Sequence, residues 1–187
     1  MDSRRRPRTP AHLATEIMRT DELTTTLTTL FRELVEGVPR DPSFMLNTGD
    51  IGLLGSLDKL SAREASATHG RGSSIAAHVE HLRYGFELMN RWVAGESNPW
   101  KNADWTAAWK RPTVNEEEWK RLRGDLRRET SSWLSTLATP REVDSTRLTY
   151  MLSTVPHLAY HLGAIRQMAP ATYGPSADVE LELRARR

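Results

Sequence analysis

Apolar residues recur at intervals of three and four along four long stretches of the chain, the spacing that lines one face of an α-helix. Gly and Pro residues separate these stretches and mark where the helices stop. We predict long helices at about 12–36, at 74–94, from Asn115 to the residue before Pro140, and from Leu148 to the residue before Pro170. The sequence contains no hairpin pattern and no internal repeat, so it predicts an all-α fold.

Short polar side chains precede several of the apolar runs, where they can accept hydrogen bonds from the first backbone N–H groups of a helix. The predicted caps are Asp50, for a short helix through Leu53 to Leu60, then Ser61, Ser73 or Ser74, and Asn115. Ser61 and Asn115 are each followed three residues later by Glu, which is the pattern of a capping box.

Pro156 lies inside the last helical pattern, where proline removes one backbone hydrogen bond. The helix could run through Pro156 with a kink, or it could begin there with Thr154 or Val155 as its cap. Because Leu148 to Val155 already shows helical spacing, we predict a continuous, kinked helix.

The segment 95–113 connects the second and third long helices and contains Trp100, Trp105 and Trp109. A connection of that length is uncommon in a compact domain and is often functional. We predict a long loop that crosses and covers the bundle, because indole rings gain free energy on burial. Simple cover for the core is the favoured role of these tryptophans, and a lid over a site is the alternative. Four long helices joined partly by long connections predict a four-helix bundle.

Charge is concentrated at the two ends of the chain. Residues 1–8 and 184–187 each carry a net charge of +3, so the total of +2 leaves −4 for the residues between them. A basic face for nucleic acid is therefore not expected. We predict a disordered basic tail at 1–10, a helical domain at 11–170 and a C-terminal tail at 171–187.

Composition limits the cellular compartments and the kinds of reactive site that are expected. The hydrophobic fraction is 38%, no apolar run approaches the ~20 residues that cross a bilayer, and the N-terminus shows no signal-peptide pattern. The absence of cysteine excludes disulfides, thiolate nucleophiles and cysteine-ligated zinc sites. We expect a cytoplasmic protein without a membrane partner.

Two pairs of histidines are the strongest chemical signal in the sequence. His157 and His161 are four residues apart in an apolar run of the last helix, and His78 and His81 are three apart in the 74–94 helix. Residues at these spacings lie on one side of a helix, where two imidazoles can bind one divalent ion. The competing explanation is polar residues at the edge of an apolar face, each hydrogen-bonded to a neighbour. The H-E-x-x-H pattern of zinc proteases is absent, because position 158 is Leu.

We expect one histidine of the 78–81 pair to be a ligand and the other to support it or to lie at the surface. His12 and His69 are interpreted as ordinary surface residues, and Glu80 and Glu87 as solvated, with Glu87 kept as the alternative further ligand. Three imidazoles leave metal positions open for water or substrate. Imidazole suits zinc, nickel, iron or copper, among which the spacing does not choose.

Two stretches of the chain resemble signatures of the DinB/YfiT-like superfamily. Its last-helix signature is similar to the run His157-Leu-Ala-Tyr-His161-Leu-Gly-Ala-Ile165-Arg-Gln. Its second-helix signature is similar to the run Ser74-Ile-Ala-Ala-His78-Val-Glu-His81-Leu. The resemblance covers about residues 12–169 and is specific at these two stretches.

This resemblance implies a four-helix bundle of up-down-down-up type, with a divalent metal held by His81, His157 and His161. His81 matches the second-helix ligand because it precedes Leu82, and His78 is the alternative one turn earlier. Pro156 departs from the uninterrupted last helix of the superfamily, which affects the tilt expected for His157.

The superfamily is similar in fold to transferases and isomerases that use low-molecular-weight thiols such as bacillithiol or mycothiol. We therefore expect a metal-dependent hydrolase or thiol-dependent transferase, with zinc or nickel as the metal and an unidentified small-molecule substrate. The alternative is a non-catalytic stress-response or binding module that acts as a homodimer, and a homodimer is expected in either case. Asn47, Asp50 and Tyr160 are candidates for polar roles near the metal, although caps, turns or packing explain each equally well.

Overall fold

The computed structural model describes residues 20–40, 42–68, 72–110 and 113–176. These residues form seven α-helices and one 3₁₀ turn, and they contain no β-strand, which confirms the all-α prediction. The elements are α1 (Thr20–Glu36), α2 (Gly52–Asp58), α3 (Ala62–Ser66), α4 (Ile75–Val93), α5 (Trp105–Trp109), α6 (Glu116–Leu137), α7 (Ser145–Met168) and the 3₁₀ turn Pro170–Thr172. No described helix is both long enough and apolar enough to span a bilayer.

The four long helices α1, α4, α6 and α7 surround one apolar core. Helix α4 packs against α6 and α7, and α1 packs against α6 and α7. The largest fully buried side chains include Phe31, Trp119 and Trp133. The two indoles keep their N–H groups paired: Trp119 donates to the carbonyl of Leu60 at 2.8 Å, and Trp133 to Thr154 Oγ1 at 3.2 Å. The core thereby holds α4 and α7 side by side, which positions their histidines.

The predicted caps are confirmed at three helices. Ser61 and Asn115 each form a complete capping box, and Ser74 accepts a hydrogen bond from the backbone N–H of Ala77. The predicted cap at Asp50 is wrong by one residue, because Ile51 occupies the cap position of α2. Asp50 nevertheless accepts the N–H of Gly52 through Oδ1 at 2.8 Å, so it still satisfies a donor of the first turn.

Helix α7 runs without interruption through Pro156, which excludes a helix start at that residue. Its cap is Asp144, whose side chain accepts the N–H of Arg147. The continuous helix keeps His157 and His161 one turn apart on the same face. The kink expected at Pro156 stays a prediction.

The connection between α4 and α6 contains α5, where the sequence predicts only loop. Asp104 caps this short helix by accepting the N–H groups of Thr106 and Ala107. Helix α5 packs against α4. A five-residue helix is too short to show an apolar periodicity, which explains why the pattern does not reveal it.

Several predictions concern residues that the structure does not describe. These are the tail at 1–10, the first turns of the helix predicted from residue 12, the surface roles of His12 and His69, and residues 177–187. The beginning of the predicted C-terminal tail is described: Thr172 is buried, and the carbonyl of Pro175 accepts a hydrogen bond from Asn47 Nδ2 at 2.9 Å.

Candidate metal centre

Helices α4 and α7 bring four histidines together, two from each helix. His78 and His81 lie on the α4 face towards α7, and His157 and His161 lie on the facing side of α7. Residues 76 positions apart or more in the chain therefore become direct neighbours.

Nε2 of His157 lies close to Nε2 of two other histidines, one from each helix. His157 Nε2 lies 3.2 Å from His81 Nε2 and 2.9 Å from His161 Nε2. One donor atom from each residue lies within 4.8 Å of the other two, so the three histidines could hold a metal ion. In a tetrahedral site with Zn–N bonds of 2.0–2.1 Å, ligand nitrogens are about 3.3 Å apart, close to the spacing here.

Hydrogen bonds alone do not explain this cluster. His157 Nε2 faces two ring nitrogens at once, and this atom carries either one N–H or one in-plane lone pair, each of which points along only one of the two contacts. A cation between the nitrogens would satisfy the lone pairs of all three rings. The donor set therefore fits a divalent ion.

His78 lies behind His161 and contacts its other ring nitrogen. The two Nδ1 atoms are 2.9 Å apart, so one of them must donate and the other accept. When His161 Nδ1 is the donor, this hydrogen bond fixes the tautomer and orientation of His161 and leaves its Nε2 lone pair free, as a residue behind a metal ligand usually does. Of the α4 pair, His81 therefore joins the group of three histidines that could hold a metal ion, and His78 contacts that group from behind His161.

Desolvation lowers the pKa of all four imidazoles, because the surrounding protein displaces water that would solvate a charged ring, even at His157, which keeps one side exposed. Desolvation lowers the pKa of His161 to about 3, with repulsion from His157, His81 and His78 adding to it. Desolvation lowers the pKa of His81 to about 4, with repulsion from His157 and His78 adding to it. These rings are neutral at pH 7, the form that binds metal.

Tryptophan side chains from α5 cover the cluster. Trp109 stacks on His81 with ring centroids 4.5 Å apart, and it also contacts His78 at 5.2 Å and His161 at 6.0 Å. Trp105 lies 5.6 Å from His81. His81 Nδ1 is buried and has no hydrogen-bond partner among the described residues. The indoles exclude water from one side of the site, while His157 remains exposed on the other.

The other polar candidates lie apart from the three nitrogens or contact them only at an edge. Asp50, whose side chain is 2% exposed, forms an ion pair with Arg166 at 2.7 Å, and Asn47 bonds to the carbonyl of Pro175. Tyr160 is 69% exposed, and its ring centroid lies 5.1 Å from that of His161 with the two rings nearly perpendicular. Arg83 is hydrogen-bonded to Glu80 and Glu87, which pair with it rather than standing free in solvent.

Comparisons of the chain with protein-family models, with curated proteins and with solved structures each find no significant match. The resemblance to the DinB/YfiT-like superfamily therefore stays a prediction from two stretches of sequence. The geometry of the histidines stands independently of it.

Proposed function

We propose that the protein binds one divalent metal ion through Nε2 of His81, His157 and His161 and acts as a metal-dependent enzyme. The observation that carries this proposal is the convergence of the three Nε2 atoms. The packing of α4 against α7 gives this arrangement its structural basis.

The number of ligands favours catalysis over a purely structural metal. Structural zinc sites have four protein ligands, whereas catalytic sites have three and keep a position for substrate. Among the described residues, three histidines form the cluster and no further Asp, Glu or His joins it. A bound divalent ion would polarise a substrate oxygen or sulfur, or lower the pKa of a coordinated thiol or water.

The chain's own residues would hold and shape the site. His78 orients His161 through the Nδ1 contact. Trp109 fixes the plane of His81 by stacking and keeps water from that side. Tyr160 of α7 carries a hydroxyl group, its ring contacts that of His161, and it is exposed, so it is a candidate to contact a bound substrate.

We further propose that the fold is a DinB-type four-helix bundle with up-down-down-up topology, and that the reaction is a hydrolysis or a thiol-dependent transfer. The support is the paired sequence signatures together with the helices and histidines that they predict. Zinc or nickel is the expected metal, and a low-molecular-weight thiol is the expected co-substrate of a transferase.

Metal content of untagged protein tests the binding step. After stripping with a chelator and reloading with zinc, mass spectrometry should find one zinc per chain. His81→Ala, His157→Ala and His161→Ala should each lower the stoichiometry or the affinity, whereas His69→Ala, outside both segments, should leave them unchanged. Stoichiometry below one in the parent protein, or unaffected by all three ligand substitutions, would refute the proposal.

Cobalt substitution separates an open catalytic site from a closed one. Because the chain contains no cysteine, a sulfur-to-cobalt charge-transfer band can come only from an added thiol. We expect this band when a small thiol is added to the cobalt-loaded protein. A cobalt spectrum that no added thiol or anion changes would contradict an open position and favour a structural metal.

A further inference from the structure

A cavity of about 260 Å³ adjoins the histidine cluster between α4, α7 and the segment around α5. Phe86, Trp100, Trp105 and Tyr150 form much of its wall, and His157 lines it as well. His157 therefore belongs both to the cavity and to the three-nitrogen cluster. A group bound in this cavity would lie next to a ligand bound at the metal.

The cavity wall is apolar and uncharged. Among the described residues that line it there is no Asp, Glu, Lys or Arg, and its polar groups come from Ser153, Thr154, His157 and the polar edges of Tyr150 and the indoles. A charged group placed there would lose hydration without gaining a counter-ion. An uncharged apolar group is therefore the fitting occupant, and the four aromatic side chains in the wall favour one that is itself aromatic.

The aromatic wall is braced in place before any ligand arrives. Trp100 and Tyr150 stack nearly parallel, at 9° with centroids 5.1 Å apart. Trp92 contacts Trp100 at 5.3 Å and Tyr150 at 5.1 Å, edge-on to both. On the other side, Trp105 contacts Tyr84 at 5.5 Å as well as His81. A wall held in this way loses little conformational entropy on binding.

Gly85 keeps the cavity open. It lies in the interior of α4, where glycine is less stable than alanine, and it lines the cavity. A Cβ at this position would meet no atom within 4 Å, so no close packing requires glycine there. A larger side chain at Gly85 would instead extend into open space that belongs to the cavity.

We propose that the cavity binds an uncharged aromatic group of the substrate, whose metal-binding group reaches the three histidines. This inference rests on the proposed function, because it assigns the substrate class of that same site. A cavity of roughly 150 Å³ accommodates benzene, so the volume here fits one substituted ring or two small fused rings.

Two hydroxamates that share a metal-binding group test the proposal. Benzohydroxamate carries an aromatic ring and acetohydroxamate only a methyl group, and calorimetry measures the affinity of each for the zinc-loaded protein. We expect benzohydroxamate to bind at least about tenfold more tightly, since a single methylene in an apolar pocket is already worth roughly that much.

Substitutions at two glycines test whether the preference for benzohydroxamate arises in this cavity. Gly85→Leu should abolish the preference for benzohydroxamate while leaving acetohydroxamate affinity and zinc content unchanged. Gly124→Leu is the matched control, because Gly124 lies in the interior of α6, is exposed and also has open space around its Cβ position. This control should keep the preference.

The outcomes separate the two proposals. Equal affinities of the two hydroxamates for the zinc-loaded parent protein would overturn the aromatic cavity and leave the metal site standing, and this comparison needs no variant. A preference that Gly85→Leu and Gly124→Leu both retain would also overturn it. Failure of both hydroxamates to bind zinc-loaded protein would overturn the open metal site and the substrate assignment with it.

Discussion

Lowering the pH from 7 to 5 should destabilise the metal-free protein, because its central histidines are held neutral. Their pKa values lie below the unfolded value of 6.5, so the unfolded state binds more protons throughout this range. Stability then rises with pH and is lost as the pH falls below about 6.5. The carboxyl groups with lowered pKa values, Glu64, Glu96 and Asp104, titrate below this range and contribute little to it.

The magnitude follows from the distance between pH 5 and the unfolded pKa. His161 is buried and has a pKa of about 3. At pH 5, about 1.5 pH units below the unfolded pKa, its contribution to the free energy of unfolding falls by about 2 kcal/mol. His81, with a pKa of about 4 and partial exposure, adds up to about 2 kcal/mol more, which solvent screening reduces.

Urea unfolding in the presence of a chelator, followed by tryptophan fluorescence at pH 5, 6 and 7, measures this dependence. His161→Gln is the matched variant, because its side chain does not titrate and its amide can still pair with His78. In the parent protein the free energy of unfolding changes between pH 5 and pH 7, and we expect this change to be about 2 kcal/mol smaller in the variant. Equal stability of the parent protein at both pH values, or an unchanged pH dependence in the variant, would refute the reasoning.

Three substitutions away from the histidines test the scaffold. Asp50→Asn should destabilise the protein by about 3 kcal/mol, since it leaves the partly buried Arg166 without its counter-charge; adding Arg166→Met should recover much of the loss, and no loss in urea unfolding would contradict the pairing. Gly37→Ala should cost about 2 kcal/mol or more, because φ at Gly37 is +90° and a Cβ would strike the backbone of residues 50 and 51; an unchanged melting temperature would count against this contact. Asn115→Ala removes a capping box and should cost about 1 kcal/mol, measured as a fall in melting temperature of about 2–4 °C. A variant whose melting temperature equals that of the parent protein within error would show that the cap is dispensable.

Local patterns were sufficient to predict the long helices and the starts of α4 and α6, whereas the cap of α7 at Asp144 was not predicted. The apolar spacing in α4 and the capping boxes at Ser61 and Asn115 involve residues within a few positions of one another. The His157–His161 pair is predictable for the same reason, since i and i+4 residues share a helix face whatever the tertiary structure.

The features of the site that the sequence did not predict depend on contacts between distant parts of the chain. Spacing within α4 does not distinguish His78 from His81, because the roles follow from where α7 places His161. Asp50 was interpreted as a cap, and its ion pair with Arg166 joins positions 116 residues apart. The stacking of Trp109 on His81 requires the direction of α5, which no periodicity in five residues could reveal; the sequence signal was only a cluster of tryptophans in a long connection.

The most direct test of the metal centre is anomalous diffraction from crystals soaked in zinc. The account predicts one anomalous peak about 2.0–2.1 Å from Nε2 of His81, His157 and His161, with His78 bonded to Nδ1 of His161 and a fourth position available. The absence of a peak among these rings, or a peak coordinated by His78 in place of His81, would contradict it.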